Sequence, residues 1–308
     1  MGLPGRRVDR QVTQVGPFRV CSRAAPRGTD LPLGGVLRPW HGHDDGSPSA
    51  DRAGEAAAPL SGTARVRRAT VSAMSVVIAG GHGRIALLVS QLLTDQSRSV
   101  TGIIRRPEHV AAVRAAGARP LLLDLATATA EQLAEHLTDA RSVLFAAGAG
   151  LGDAPGKANP VDHDAVLAFA DAAELAGVRR FVMLSAMGAD PAANHPADPL
   201  VETFLRARGR ADENLLSRTA LDCTVVRPSW FRDGPGNGLV ELAEHTGPGE
   251  IDRADVAAVL AALITAPATS PRVLELVSGS TPIADAVGRV VCGPPPAHRT
   301  IGARGRRA

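Results

Sequence analysis

Val76-Val77-Ile78-Ala79-Gly80-Gly81-His82-Gly83-Arg84-Ile85-Ala86 is the stretch on which the reading of this 308-residue chain turns. An apolar run, a cluster of glycines and then an amphipathic segment predict a strand, a tight turn and the start of a helix. The spacings Gly81-x-Gly83-x-x-Ala86 and Gly80-x-x-Gly83-x-x-Ala86 both fit the dinucleotide-binding fingerprint. Glycine takes positive φ in the turn and, lacking Cβ, lets a pyrophosphate approach the backbone. Ala86 lets the helix pack closely on the strand, and the helix N-terminus offers free N–H groups to phosphate. An ordinary βα turn shows the same glycines, so the rest of the chain has to decide.

Strand and helix patterns alternate from there on. Apolar runs rich in β-formers lie at 76–79, 100–104, 119–123, 142–146, 180–184, 222–227 and 272–277, with helical patterns near 84–94, 107–116, 129–137, 161–177, 198–217 and 252–265. Continuous apolar strands separated by helices imply a parallel sheet covered on both faces, and right-handed crossovers wind it in both directions. The fold class is α/β, a doubly wound parallel sheet of Rossmann type in one domain over 74–292. Pro107 suits a first helical turn, Gly117 and Gly177 suit helix stops, and Asp252-x-x-Asp255 resembles a capping box. Residues 229–250, rich in Gly and Pro, are expected to form a mobile C-terminal cover on the substrate side.

The flanks read differently. Residues 1–73 carry 11 Arg against 6 acidic side chains, the last ten add four Arg, and residues 74–298 hold 19 basic and 25 acidic groups. The formal charge of +3 therefore belongs to the tails, and the folded part gives no argument for nucleic-acid binding. Without sustained hydrophobic periodicity, residues 1–73 are expected to be a disordered Arg/Gly/Pro-rich extension, with Met74 as the natural start, and 293–308 a disordered basic tail. His41, His43, Asp44 and Asp45 cluster like metal ligands, but within that tail no metal site is expected. Cys21, Cys223 and Cys292 form no CxxC pair and suggest a reducing cytosol, with Cys223 packing in the core. No apolar run is long enough for a bilayer, so a cytoplasmic protein without membrane partners is expected.

The strand ends supply the cofactor argument. The second strand ends in Arg105-Arg106, about 20 residues beyond Gly83, where an acid would select the NAD ribose hydroxyl and arginine accommodates a 2′-phosphate. With Arg84 in the turn, the pair favours NADP(H), arginine forks matching phosphate oxygens bidentately. Asp124-Leu125 ends the third strand, where an acid can accept from an adenine amino group. Ala146-Ala147-Gly148 ends the fourth, where small residues keep the crevice floor open.

These residues, with Val161-Asp162-His163-Asp164, Leu184-Ser185-Ala186-Met187-Gly188-Ala189-Asp190, Val225-Val226-Arg227-Pro228 and Ile251-Asp252-Arg253-Ala254-Asp255-Val256-Ala257, resemble the atypical short-chain dehydrogenase/reductases. The similarity is greatest to the NAD(P)H-binding, NmrA-like members often labelled sugar-epimerase-like. The resemblance covers about residues 75–290 and implies NADP(H) bound by Gly80, Gly81, His82, Gly83, Arg84, Ile85, Arg105, Arg106, Asp124, Leu125, Ala146, Ala147 and Gly148. It also places the usual tyrosine and lysine of the superfamily at Phe204 and Arg208. The chain has no tyrosine, and its one lysine is Lys157. Phenylalanine has no proton to move, so the usual acid/base pair is missing.

Ser185, Asp162 and Arg208 remain as polar candidates for the reacting end, Arg208 also as a ribose ligand. Their plainer roles are a strand-end cap, a helix cap and surface charge. His163 and His195 are expected to be exposed. Trp230 and Phe231 would stack on a planar acceptor, or pack in the core, the plainer expectation. Two functions are compatible with these residues: a reductase passing hydride from NADPH to a flavin or quinone without the Tyr/Lys pair, or a non-catalytic NADP(H) sensor of NmrA type with a protein partner. A nucleotide-sugar epimerase or dehydratase is third, because that chemistry leans on the absent tyrosine.

Overall fold

Nearly continuous burial along its inner strands builds the central sheet of this computed structural model, which describes residues 12–15, 18–21, 75–148, 161–266 and 272–292. In chain order the elements are β1 (Val12–Val15), β2 (Phe18–Cys21), β3 (Ser75–Ala79), α1 (Arg84–Asp95), β4 (Ser99–Ile104), a 3-10 turn (Pro107–His109) leading into α2 (Val110–Ala115), β5 (Arg119–Leu122), α3 (Ala130–Glu135), β6 (Ser142–Phe145) and α4 (Val161–Leu175). Next come β7 (Arg180–Leu184), α5 (Pro199–Ser217), β8 (Asp222–Pro228), β9 (Trp230–Arg232), β10 (Leu239–Ala243), β11 (Glu250–Asp252), α6 (Arg253–Thr265), β12 (Arg272–Ser278), β13 (Thr281–Pro282) and α7 (Ile283–Cys292).

Nine strands form one sheet in the order β13-β10-β12-β8-β7-β6-β3-β4-β5. The seven strands from β12 to β5 are mutually parallel, and β10 runs antiparallel to β12. Strand order reverses between β3 and β6, the switch point at which doubly wound sheets open a crevice for ligands. Val76, Ile78, Leu144, Val182 and Val226 pack on one face with α1, α6 and α7, whereas Val77, Ala79, Phe145, Met183 and Val225 pack on the other with α3, α4 and α5. On that second face the rings of Phe145, Phe169 and Phe181 tilt against one another at 5.9 Å. Helix α6 is buried nearly all round, as its apolar run Val256–Ile264 requires. The Rossmann-like α/β fold read from the sequence is the fold observed.

At the amino end of the sheet a buried arginine ties three elements together. Arg180 donates to the Leu263 carbonyl through Nε (3.2 Å) and Nη2 (2.7 Å), and through Nη1 to the Asp222 carbonyl (3.0 Å) and to Thr224 Oγ1 (2.9 Å). Burial pushes its pKa down to about 10, Cys223 and Asp222 opposing the shift. Burial also pushes the Cys223 thiol up to about 12, so this fully buried cysteine packs as expected and offers no thiolate near neutral pH.

The structure departs from the sequence reading at several elements. Residues 239–243, expected within a mobile cover, are strand β10 of the central sheet, with Val240 fully buried. Gly238 and Gly247, at φ of +72° and +89°, supply turns on either side, so the glycines mark the limits of a short strand. Asp252 does occupy the N-cap of α6, but its side chain caps nothing; it pairs with Arg232 at 3.2 Å. Asp255 instead accepts from the Asn237 and Gly238 N–H groups (3.1 and 2.9 Å), pinning the turn before β10. Helix α7 also falls where no helix is expected, and the antiparallel hairpin β1–β2 falls in the stretch read as structureless. The rest of 1–73 (His41, His43, Asp44 and Asp45 included), Lys157 and residues 293–308 lie outside the described residues.

Candidate dinucleotide crevice

The glycine turn is shaped by what its neighbours leave free. Gly80 has φ +80°, and a Cβ there would lie 2.5 Å from the Ala147 Cα, on the chain leaving β6. A Cβ on Gly81 would lie 2.6 Å from the Cα of Gly102 in β4, and the Gly81 N–H donates to the Ile103 carbonyl at 2.8 Å. The Gly83 N–H closes the turn on the Gly80 carbonyl at 3.0 Å. Gly83 differs from the other two: it is exposed, and the nearest atom to its Cβ would be 3.4 Å away, so a side chain there meets only ordinary protein contacts. Gly83 is also the N-cap of α1, whose first turn holds no acidic residue and no side-chain cap. Free N–H groups therefore face outward at a helix N-terminus, the arrangement that receives phosphate.

The other strand ends line up beside this turn. Arg105 and Arg106 are exposed where β4 ends, Asp124 is exposed and Leu125 half-buried after β5, and Ala146 and Ala147 are half-buried after β6, with Gly148 exposed. Asp124 already accepts the Ala126 N–H at 3.0 Å, which leaves its second carboxylate oxygen available. Ile85 is buried in the core and offers a ligand only its backbone N–H. Arg84 is exposed and pairs with Asp233 at 3.0 Å, which also holds Arg253. A groove of about 780 Å³ runs from this ion cluster along one face of α1 (Leu87, Leu88, Gln91), apart from the strand ends. His82 stacks flat on His109, ring centroids 3.6 Å apart and planes within 4°, joining the glycine turn to the 3-10 turn after β4. Burial, then the neighbouring His109, holds the His82 pKa below the usual histidine value, with Glu108 opposing.

At the reacting end the structure assembles a cluster that the sequence reading identifies only in part. Ser185, just past β7, donates from Oγ to Asp212 Oδ2 at 2.8 Å. Arg227 of β8 grips the same oxygen through Nε (2.9 Å) and Nη2 (2.8 Å). Asp212 is fully buried, and its Oδ1 has no hydrogen-bond partner among the described residues. Burial raises its carboxyl pKa, while Arg227 leads the groups that pull it back. Arg208, one helical turn before Asp212, is buried rather than a surface charge. It donates to the Ala147 carbonyl (2.9 Å) and the Leu184 carbonyl (3.3 Å), bridging the ends of β6 and β7, and its guanidinium lies 5.5 Å from the Phe204 ring centre.

Asp212 and Arg227 are the members that sequence reasoning missed. The signal available was an acid four residues after the lysine-equivalent position on one helix face.

The remaining candidates are scattered. Asp162 falls in the first turn of α4, and its side chain lies outside the described residues. His163 and His195, expected exposed, are both half-buried; His163 pairs with Asp164 at 3.1 Å, and the backbone N–H of His195 is held by Glu202 at 2.9 Å. Trp230 and Phe231, for which core packing was the plainer expectation, are 66% and 39% exposed. The short ladder of β9 on β11 holds them outside the core, just beyond Pro228, whose carbonyl accepts the Met187 N–H at 3.0 Å.

Residues 80–267 match the family model described as NAD(P)H-binding. The chain belongs to this NAD(P)H-binding family. The protein is 32% identical over 218 residues to the uncharacterized sugar epimerase YhfK of Bacillus subtilis, covering 70% of this chain and all of the relative. Among solved structures, a Bacillus halodurans protein described as an NAD-dependent epimerase/dehydratase superposes with a TM-score of 0.62 at 26% identity, over 70% of this chain and 99% of that one. A Streptococcus pneumoniae protein described as an NADH-flavin reductase shares the fold alone, with a TM-score of 0.53 at 21% identity over 67% and 99% of the two chains.

The residues of this NAD(P)H-binding protein fit a dinucleotide on their own evidence. Gly83 is exposed at the α1 N-terminus where a pyrophosphate would sit, and the exposed end of β4 lies beside the turn. Among the described residues no group of histidine, cysteine and acidic side chains could hold a metal ion, and no helix is long and apolar enough to cross a membrane.

Proposed function

We propose that this protein is an NADPH-dependent reductase of the cytosol that serves a small planar acceptor such as a flavin or quinone. The observation that carries the reading is Trp230, 66% exposed just beyond the carboxyl end of β8 in a chain with no tyrosine. An exposed indole beside a ligand crevice offers a stacking face, and aromatic stacking suits a planar acceptor. When bound, NADPH supplies the hydride. The chain's own work is positioning: the α1 N-terminus and glycine turn take the pyrophosphate, Arg105 and Arg106 the 2′-phosphate, and Arg208 stiffens the floor between β6 and β7. Such an enzyme works by proximity, with solvent supplying any proton.

One observation favours a second reading. Ser185 and Arg208 both spend hydrogen bonds on internal partners, which suits a sensor that binds NADP(H) without turning it over. The test is NADPH and NADH titration of the full-length protein, paired with NADPH oxidation in the presence of lumiflavin and menadione. Tight NADPH binding with turnover supports the reductase. Binding without turnover on either acceptor transfers the assignment to the sensor, and absence of binding sinks both. In the same titration Arg105→Ala and Arg106→Ala should lower the preference for NADPH over NADH by about tenfold, one to two charge-assisted hydrogen bonds. An unchanged ratio would remove the 2′-phosphate from this strand end.

A further inference from the structure

The Ser185–Asp212–Arg227 cluster fixes the direction of a hydrogen bond, and that direction restricts what the crevice can recognise. Asp212 Oδ2 accepts the Arg227 Nε–H at 2.9 Å and is ion-paired with Arg227 Nη2 at 2.8 Å. An oxygen so loaded carries no proton to give, whichever ionisation state the carboxyl group adopts. The proton in the 2.8 Å contact with Ser185 Oγ must therefore come from the serine. A hydroxyl has one proton, and here it points inward. The Ser185 backbone N–H is likewise committed, to the Val226 carbonyl at 2.8 Å. What remains on Oγ is lone pairs.

We propose that Asp212, braced by Arg227, turns Ser185 into a pure hydrogen-bond acceptor at the crevice, so that the preferred acceptor molecule bears a ring N–H donor, as the isoalloxazine of a flavin does at N3. This rests on the reductase reading and narrows it. A serine that polarises a ketone must donate to its oxygen, and this one has no proton left for that. Ketone and aldehyde substrates, and quinones whose polar atoms are all carbonyl oxygens, would set lone pair against lone pair. A flavin brings its own donor. Asp212 is a positioning residue in this scheme and touches no ligand.

The test compares lumiflavin with its N3-methylated form, which keeps the ring system and removes the donor. Dissociation constants are read from quenching of flavin fluorescence by the full-length protein with NADP+ present. Lumiflavin should bind about tenfold more tightly, the worth of roughly one hydrogen bond. Ser185→Ala should bring the two flavins close together, and Ser185→Thr should restore the preference. Asp212→Asn should keep it, because Arg227 demands an oxygen at that place, whereas Asp212→Ala should lose it by freeing the hydroxyl to rotate. If Asp212→Ala fails to fold, the Ser185 pair alone decides.

Equal affinities in the unmodified protein, or a preference that survives Ser185→Ala, would overturn the proposal, as would failure to bind either flavin. Because these are binding constants, they stand apart from turnover: absence of NADPH oxidation with lumiflavin would count against the reductase reading alone.

Discussion

Gly80 and Gly83 lie three residues apart in one turn and are glycine for different reasons. At Gly80 the protein is the obstacle: positive φ and a contact of 2.5 Å to the Ala147 backbone leave no place for a Cβ. At Gly83 the backbone is ordinary, with φ −57°, and the nearest protein atom stands off at 3.4 Å. A Cβ there makes only ordinary contacts with the protein, so crowding would fall on a bound ligand. Gly80→Ala should therefore cost stability, about 2–5 kcal/mol from strain and overpacking combined. Gly83→Ala should change stability by less than about 1 kcal/mol, the usual scale of an N-cap exchange, yet weaken NADPH binding by more than tenfold. Thermal melts of both variants, alongside titration of Gly83→Ala, check this. A Gly83→Ala protein that binds NADPH normally would show that the opening serves no phosphate.

Helix α5 brings the reacting end together, and it does so through a close approach. Gly209, between the carbonyl-bound Arg208 and the buried Asp212, has the Asp190 and Pro191 backbone where its Cβ would be, the nearest atom at 2.3 Å. Nothing in that contact can yield like a flexible side chain, so Gly209→Ala must push the helix away from the loop after β7. Expected are a loss of about 1–3 kcal/mol and a displaced Asp212; a calorimetric melt within error of the parent would refute it. The sequence made α5 legible as a helix at nearly its true limits, because Asp198 and Pro199 mark its start and apolar spacing marks its length. The inner parallel strands were legible for a related reason: β3, β6 and β7 are buried on both faces along nearly their whole length and carry apolar runs. Strand β10 was hidden because Leu239–Ala243 is five residues with Glu241 at its centre, set among glycines that read as loop. The Asp212 cluster was hidden because pairing between a helix acid, a strand arginine and a strand-end serine is fixed by tertiary contact, which no spacing encodes.

The sheet as a whole separates what stabilises the molecule from what it binds. Arg180 opens β7 at the amino end, and Ser185 lies five residues further on, about 16 Å along an extended strand. At the amino end the hydrogen bonds of Arg180 join β7 and β8 to the last turn of α6. At the carboxyl end, strand order reverses and the glycine turn, Arg105 and the Ser185 cluster gather. Because burial holds its pKa down at about 10, keeping Arg180 charged near neutral pH costs the fold free energy, which its hydrogen bonds offset. Methionine matches much of the arginine length without the donors, so Arg180→Met relieves that cost and takes the arginine donors from the Asp222 carbonyl, from Thr224 and from the Leu263 carbonyl, which keeps only the Ala266 N–H at 3.3 Å. Loss of several hydrogen bonds outweighs the relief. The net effect should be about 2–4 kcal/mol, a fall in Tm of roughly 4–16 °C for a domain of this size. NADPH affinity, proposed to be set at the other end of the strands, should move by less than about twofold, well under 1 kcal/mol. Melting and titration of the same preparation decide it: a Tm that falls with an unmoved Kd supports the division, and a Kd that shifts with the Tm means that the two ends are coupled through β7.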